Sequence, residues 1–202
     1  MSGGTPSPLP FSGGTLYAVT FWSAYALWLG FEQMLLRTCR ASGSAVRERA
    51  SLMWLRVLLT AAVSADFAIA ALLPSAAMGL ARPGIFFFGI ALILAGLLFR
   101  WYAIVMLGRF FTVDVAVHVG HSVVESGPYR WIRHPAYSGT LLTLLGIGLA
   151  LGNLAGLLAL LGLAGIGFAK RIAAEEAVLV AALGESYRRY MRHTWRLVPL
   201  LF

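Results

Sequence analysis

The chain has 202 residues, of which 59% are hydrophobic and 12% are charged, and its formal net charge is +8. Soluble domains are about 45–50% apolar and about 25% charged, so the composition excludes an ordinary soluble domain and indicates an integral membrane protein. The positive charge comes almost wholly from arginines in the gaps between apolar runs. That distribution argues against nucleic acid as a partner and is typical of cytoplasmic loops that meet anionic lipids.

The first half of the sequence contains three apolar runs, each long enough for a membrane helix. Residues 1–15 carry no charged side chain and lack the basic segment of a secretion signal, so we expect a flexible tail. Spanning a bilayer needs about 20 mostly apolar residues. The candidate spans are residues 16–36, 51–73 and 84–107.

A fourth apolar run, residues 137–169, is too long for a single crossing of a bilayer about 30 Å thick. Gly152-Asn153 near its middle is a turn signal, which predicts a tight hairpin of two helices with its tip at that dipeptide. The sequence therefore predicts an all-α protein with about five membrane helices. Small residues let helix backbones approach closely, and we expect such packing in the hairpin at Gly148, Gly152, Gly156, Gly162, Gly165 and Gly167.

The basic residues indicate which face of the membrane each loop occupies. With five crossings, the clusters in residues 37–49, 109–133 and 170–196 all fall on one face, which the positive-inside rule makes the cytoplasm. The N-terminus is then outside and the C-terminus inside. The residues that follow Lys170 predict an amphipathic helix lying on the membrane. A composition rich in Ala, Leu, Gly and Arg with a single lysine is typical of a GC-rich bacterium, hence of a bacterial cytoplasmic (inner) membrane.

Four charged residues fall inside the predicted spans, where a charge usually faces a partner or a wet cavity. They are Glu32, Arg56, Asp66 and Arg100. Glu32 and the two arginines lie toward the cytoplasmic side, so Glu32 can pair with either of them. Asp66 lies toward the other side, and no partner for it can be named.

A polar stretch, GPYRWIRHPAY, precedes the hairpin at residues 127–137. Pro135 suits the first turn of a helix, which places Arg133 and His134 at a helix N-terminus that favours an electron-rich group. The segment RIAAEE, residues 171–176, follows the hairpin. Since a hairpin brings its two ends together, both segments should meet at one membrane boundary.

Four segments in order carry a family resemblance. They are RWYAIVMLGRFFT (residues 100–112), HSVVESGPY (121–129), RHPAYSG (133–139), and RIAAEE followed by LGESYRRYMRHTWRLVP (171–199). Together they resemble the isoprenylcysteine carboxyl methyltransferase family and the related membrane phospholipid methyltransferases. The resemblance covers about the C-terminal half, and it divides the chain into a tail (1–15), N-terminal membrane helices (16–99) and a methyltransferase core (100–202).

The resemblance implies a membrane enzyme that uses S-adenosylmethionine, releases S-adenosylhomocysteine, and lacks a soluble Rossmann domain. No metal is expected. Arg171 should face the methyl acceptor, with Arg100 as a second substrate-binding residue, and Arg171, His134 and Glu176 are the catalytic candidates. The residues implied to line the cofactor pocket are Asp114, His121, Ser122, Val123, Val124, Tyr129, His134, Pro135, Ala136, Tyr137 and Glu175.

The expected acceptor is a lipophilic carboxylate of the isoprenylcysteine type, free or on a prenylated partner. A carboxylate suits the fork of Arg171 and needs no general base. Phospholipid N-methylation and S-methylation of a small thiol stay open, and His134 or Glu176 would then have to accept a proton. A transporter or a non-catalytic membrane subunit is the remaining alternative. The sequence does not indicate an oligomeric state.

Overall fold

A computed structural model of the chain describes residues 14–39, 46–78, 82–112 and 123–199. These ranges contain six α-helices and no β-sheet, as the sequence predicts. The helices are α1 (Thr15–Thr38), α2 (Val46–Leu72), α3 (Arg82–Leu107), α4 (Pro135–Leu151), α5 (Leu154–Leu183) and α6 (Glu185–Arg192).

The architecture is that of an integral membrane protein. Among the described residues, three helical segments are long and apolar enough to cross a membrane: Ala50–Leu72, Pro83–Leu107 and Leu154–Leu183. Large apolar side chains cover the outside of the bundle, with Leu98 64% and Leu158 63% exposed, as a lipid-facing surface requires. Helix α4 is apolar but shorter, and α1 is not among the three, so the count of five crossings stays a prediction.

The predicted hairpin is confirmed, with its tip at the expected dipeptide. Helix α4 ends at Gly152, whose φ of 68° is the left-handed conformation that glycine adopts without strain. Asn153 then caps α5, because its Oδ1 accepts a hydrogen bond from the Gly156 amide at 3.1 Å. Its Nδ2 donates to the Leu73 carbonyl at 2.8 Å, which ties the tip to the end of α2.

The closest helix packing lies between α3 and α4 rather than inside the hairpin. A Cβ on Gly89 would lie 2.6 Å from the Gly146 carbonyl oxygen, and a Cβ on Gly96 would lie 2.6 Å from the Gly139 carbonyl oxygen. The same clashes arise from the α4 side. The seven-residue spacing on both antiparallel helices puts both glycine pairs on one seam, where the two backbones touch directly.

The prediction for the hairpin glycines is right for only part of the set. Gly148 packs on Leu157, Gly156 on Asp66 of α2, and Gly167 on Leu55 of α2. Gly162 and Gly165 have open space where a Cβ would point, so their lack of a side chain serves no packing. The reason is geometric: these two lie on the outward face of α5.

The segment after Lys170 is helical, but it is divided. Helix α5 continues without a break to Leu183, and the chain turns at Gly184, whose φ is 58°. Helix α6 follows, with Tyr187 and Tyr190 buried and its arginines exposed. The expected single amphipathic helix is therefore the last turns of α5 plus α6; its position on a membrane surface stays a prediction.

Candidate active site

A cavity of about 480 Å³ lies at the end of the bundle away from the hairpin tip, which we call the site end. Small-molecule pockets typically enclose about 300–1,000 Å³. Helices α1, α2 and α5 supply an apolar wall that includes Trp28, Leu55 and Phe168. The start of α4, the end of α3, the turn before α4 and Glu175 of α5 supply a polar wall.

The RHP segment, residues 133–135, is held in place by residues 195–197. The amides of Arg133 and His134 donate to the carbonyls of Trp195 and Arg196, at 2.7 and 3.0 Å. The Ser138 hydroxyl donates to the carbonyl of Leu197. Residues 195–197, the C-terminal strap, therefore hold the backbone that carries His134. As predicted, Pro135 then opens α4 at its first position.

His134 is buried between two carboxylates. Its Nδ1 lies 3.4 Å from Glu175 Oε2, and its Nε2 lies 3.5 Å from Glu176 Oε1. Burial by itself lowers the pKa of His134, but the interactions with Glu175 and Glu176 outweigh it and raise the pKa above its ordinary value. The two carboxylates thereby favour the protonated form of the ring. The two segments flanking the hairpin do meet, as the sequence predicts.

Glu175 faces the cavity, and its carboxylate is held from three directions. The Tyr137 hydroxyl donates to Oε1. Arg171 Nε lies 2.8 Å from the same oxygen and 3.3 Å from the Tyr137 hydroxyl. His134 takes Oε2. Both oxygens are thus occupied, so Glu175 presents a fixed negative charge.

Arg171 does not lie on the cavity wall. Its side chain is 1% exposed and sits behind Tyr137 and Glu175, and its terminal nitrogen donates to Ser51 of α2 at 2.7 Å. The expectation that Arg171 faces the acceptor therefore does not fit this geometry. Arg171 and Glu175 lie one helical turn apart on α5 and form an ion pair, and the further bonds to Tyr137 and Ser51 hold the Arg171 side chain away from the cavity.

Glu176 also lies off the cavity wall. Arg133 Nε donates to its Oε1 at 2.8 Å, and Arg196 donates to its Oε2 at 3.1 Å. With His134 as a third partner, Glu176 is a buried anchor for the RHP segment and the C-terminal strap. A proton-accepting role for Glu176 does not fit this arrangement.

Tyr129 lines the cavity from a 3₁₀ turn, Gly127–Arg130, just before the RHP segment. Its side chain is buried, and burial raises the pKa of the Tyr129 phenol, which stays neutral. The Tyr190 hydroxyl of α6 donates to the Tyr129 carbonyl at 2.7 Å. Helix α6 thus supports this turn.

Arg100 lies at the boundary between the polar wall and the membrane helices. Its Nε lies 3.1 Å from Glu32 Oε1, which confirms one of the two pairings expected for Glu32. It also donates to the Ala136 carbonyl at 3.0 Å and to the Thr140 hydroxyl. Arg100 thereby links α1, α3 and the first turn of α4.

The cavity collects most of the predicted residues that the structure describes. Those on the wall are Val123, Val124, Tyr129, His134, Ala136, Tyr137, Glu175 and Arg100. Pro135 is buried at the start of α4 and not on the wall. Asp114, His121 and Ser122 lie outside the described residues.

Several residues at the site were not predicted. Arg133 and Arg196 clamp Glu176, and Tyr187 and Tyr190 close the cavity from α6. The sequence signal for this clamp is the pair of arginines in RHP and TWRLVP, Arg133 and Arg196. The apolar wall from α1 and α2 lies outside the resemblance, and the intramembrane charges at Glu32 and Arg56 are the signals that point to it.

Comparison with known proteins gives a match over the region that builds this polar wall. The model of the isoprenylcysteine carboxyl methyltransferase (ICMT) family matches residues 89–181. A protein-S-isoprenylcysteine O-methyltransferase of Schizosaccharomyces pombe is 35% identical over 104 residues, covering 50% of this chain and 44% of that protein.

Two plant proteins are similar over a like stretch. A probable protein-S-isoprenylcysteine O-methyltransferase of Oryza sativa subsp. indica is 31% identical over 115 residues, covering 56% of this chain and 60% of its own length. Protein-S-isoprenylcysteine O-methyltransferase B of Arabidopsis thaliana is 33% identical over 116 residues, covering 56% and 59%. The chain thus spans about half the length of the curated relatives it matches.

Proposed function

Since residues 89–181 are related to the isoprenylcysteine carboxyl methyltransferase family, we propose that this chain is a membrane methyltransferase that transfers a methyl group from S-adenosylmethionine to the carboxylate of a lipophilic, isoprenylcysteine-like acceptor. The observation that carries the proposal is that one cavity joins the paired side chains of His134 and Glu175 to an apolar wall from α1 and α2. A polar donor and a lipophilic acceptor can share such a space.

The residues on the polar wall fit the donor. When bound, S-adenosylmethionine supplies a methyl group on a positively charged sulfur. The carboxylate of Glu175 and the ring of Tyr129 are electron-rich groups that favour a cation nearby. Val123 and Val124 offer apolar surface for a base, and the cavity volume of about 480 Å³ suits a ligand of this class.

The chain's own residues would act by orientation and by excluding water. Arg171 and Tyr137 fix Glu175, and the C-terminal strap fixes His134, so the polar wall is organised before any ligand arrives. The apolar wall removes water from the acceptor's carboxylate, which makes that carboxylate a better nucleophile. Alignment of the two reactants supplies the rest of the rate enhancement.

The state of the acid–base groups favours a carboxylate over a thiol or an amine. A thiol or amine must lose a proton. Among the described residues at the site end, each candidate base is engaged: both His134 nitrogens face carboxylates, Glu175 and Glu176 have partners at both oxygens, and Glu32 is paired with Arg100. A carboxylate acceptor needs no base.

We propose that the site end faces the cytoplasm, in a bacterial inner membrane, with the N-terminus outside. Exposed arginines gather around the site end, which supports this orientation by the positive-inside rule. They include Arg37, Arg130, Arg188, Arg189 and Arg192.

The function is tested with purified protein in detergent and tritiated S-adenosylmethionine. The acceptors are a prenylcysteine acid, a fatty acid, phosphatidylethanolamine and a small thiol. We expect label on the prenylcysteine acid, and we expect mild alkali to release it as methanol, because only a methyl ester is cleaved under those conditions. Alkali-stable label on the lipid or the thiol would show N- or S-methylation, and no label on any acceptor would contradict the proposal.

A further inference from the structure

Helices α1 and α2 meet at one end and separate at the other. Away from the site end, Phe67 of α2 packs among Phe21, Trp22 and Tyr25 of α1, with ring centroids 5.9 Å apart. Toward the site end the cavity lies between the two helices, lined by Leu29 and Gln33 of α1 and by α2. The aromatic cluster therefore closes one end of the gap between α1 and α2, and the cavity occupies the other end.

Three residues of α2 border both the cavity and the outer face of the helix. Arg56, Thr60 and Ser64 of α2 line both the cavity and a second, more open pocket on the outer face of the same helix. All three residues belong to the candidate membrane span Ala50–Leu72. The cavity is therefore bordered by a stretch of the candidate span that is also reached from the outer face of α2.

Among the arginines that line the cavity, Arg56 alone lacks a carboxylate partner in the described part of the chain. The other two arginines on the wall are neutralised, Arg100 by Glu32 and Arg133 by Glu176. Arg56 is exposed, and it lies about 9 Å into the span at 1.5 Å per residue. A charge at that depth is costly unless it meets a counter-ion or a wet cavity.

We propose that Arg56 binds the carboxylate of the acceptor inside the cavity, while the acceptor's lipophilic tail lies along the neighbouring apolar side chains. This inference rests on the proposed function and names the residue that selects an anionic acceptor. The fork of an arginine can bind both carboxylate oxygens. Arg171 is buried behind Glu175, so the residue that selects an anionic acceptor has to be another arginine, one that the acceptor can reach.

The test compares binding of two probes, N-acetyl-S-farnesylcysteine and its methyl ester, to protein saturated with S-adenosylhomocysteine. The two differ only in the charge of the carboxyl group. We expect wild type to bind the acid about 10–100-fold more tightly than the ester, the range for a charge-assisted hydrogen-bonded pair. Arg56→Gln should bind both alike, with its affinity for the ester and for S-adenosylhomocysteine unchanged.

Arg37→Gln is the matched control, because Arg37 is exposed on α1 and does not line the cavity. It removes the same charge and should keep the wild-type preference for the acid. If Arg56→Gln keeps that preference too, Arg56 does not read the carboxylate and the inference is wrong.

Three other outcomes separate this inference from the proposed function. Wild type that binds S-adenosylhomocysteine but does not prefer the acid overturns the inference alone. Wild type that does not bind S-adenosylhomocysteine overturns the proposed function and the inference with it. Arg56-dependent binding of phosphatidylglycerol without preference for the acid would assign Arg56 to a lipid headgroup, against the inference.

Discussion

His134 Nδ1 lies 3.4 Å from Glu175 Oε2, although a whole helical hairpin separates the two residues in the chain. The hairpin turn at Gly152 returns α5 beside α4, and the C-terminal strap then fixes the backbone of His134. The polar wall of the cavity is therefore a consequence of the hairpin.

The pairing of His134 predicts a pH-dependent stability. Its pKa is raised, so its contribution is complete below the unfolded value of about 6.5 and is lost as pH rises through the higher folded value. We expect the melting temperature of wild type to exceed that of His134→Gln most at about pH 6, by the equivalent of about 2 kcal/mol. The difference should shrink as the pH rises. A difference that grows with pH would contradict a protonated His134.

The seam between α3 and α4 predicts a strong position dependence for glycine substitutions. Gly146→Val should destabilise the protein by about 1–3 kcal/mol or more, because a Cβ there would lie 2.5 Å from the Gly89 carbonyl oxygen. Gly165→Val is the matched control on α5, where a Cβ meets open space. Thermal melts in detergent should show a large loss for the first and little change for the second; equal losses would refute the seam.

Arg171 is predicted to be a positioning residue. Lysine cannot bridge Glu175, Tyr137 and Ser51 at once, so Arg171→Lys should lower kcat by about 10–100-fold through misplacement of the polar wall. The KM for the acceptor should change little, because Arg171 does not line the cavity. Ser51→Ala, which removes one partner, should have a smaller effect. A raised acceptor KM with normal kcat would instead mean that Arg171 touches the acceptor.

Asp66 is predicted to reduce stability. Its side chain is fully buried against Gly156, and neither carboxylate oxygen has a hydrogen-bond partner in the described part of the chain. An unpartnered buried carboxyl group costs free energy, most of all when it is ionised, and asparagine has the same shape without the ionisable group. Asp66→Asn should therefore raise the melting temperature while methyl transfer stays normal. A lower melting temperature would indicate a partner that stabilises the carboxylate.

The sequence predicts the topology of this protein better than its packing. Apolar run length and the Gly152-Asn153 turn suffice for the hairpin, since both are local signals. The glycine seam between α3 and α4 depends on which helices become neighbours, and spacing within one helix does not determine that. For the same reason the sequence predicts the wrong packing neighbours for some of the hairpin glycines.

The residues of the site are likewise predictable from the sequence only in part. The meeting of RHPAY with RIAAEE follows from the hairpin, so His134, Tyr137 and Glu175 were predictable. Which member of the Arg171, Glu175 and Glu176 group faces the cavity depends on the rotation of α5 about its axis, and neighbouring helices set that rotation. The place of Arg56 on the cavity wall depends on how α1 and α2 diverge, which the sequence does not encode locally.

Calorimetric titration of the detergent-solubilised protein with S-adenosylhomocysteine tests most directly whether the cavity beside His134 and Glu175 binds the methyl donor. We predict saturable binding to wild type, loss of that binding in Ala136→Trp, which fills the cavity, and normal binding in Ala173→Trp, which adds the same bulk on the exposed face of α5. Absence of binding to wild type, or equal binding to all three proteins, would contradict the account.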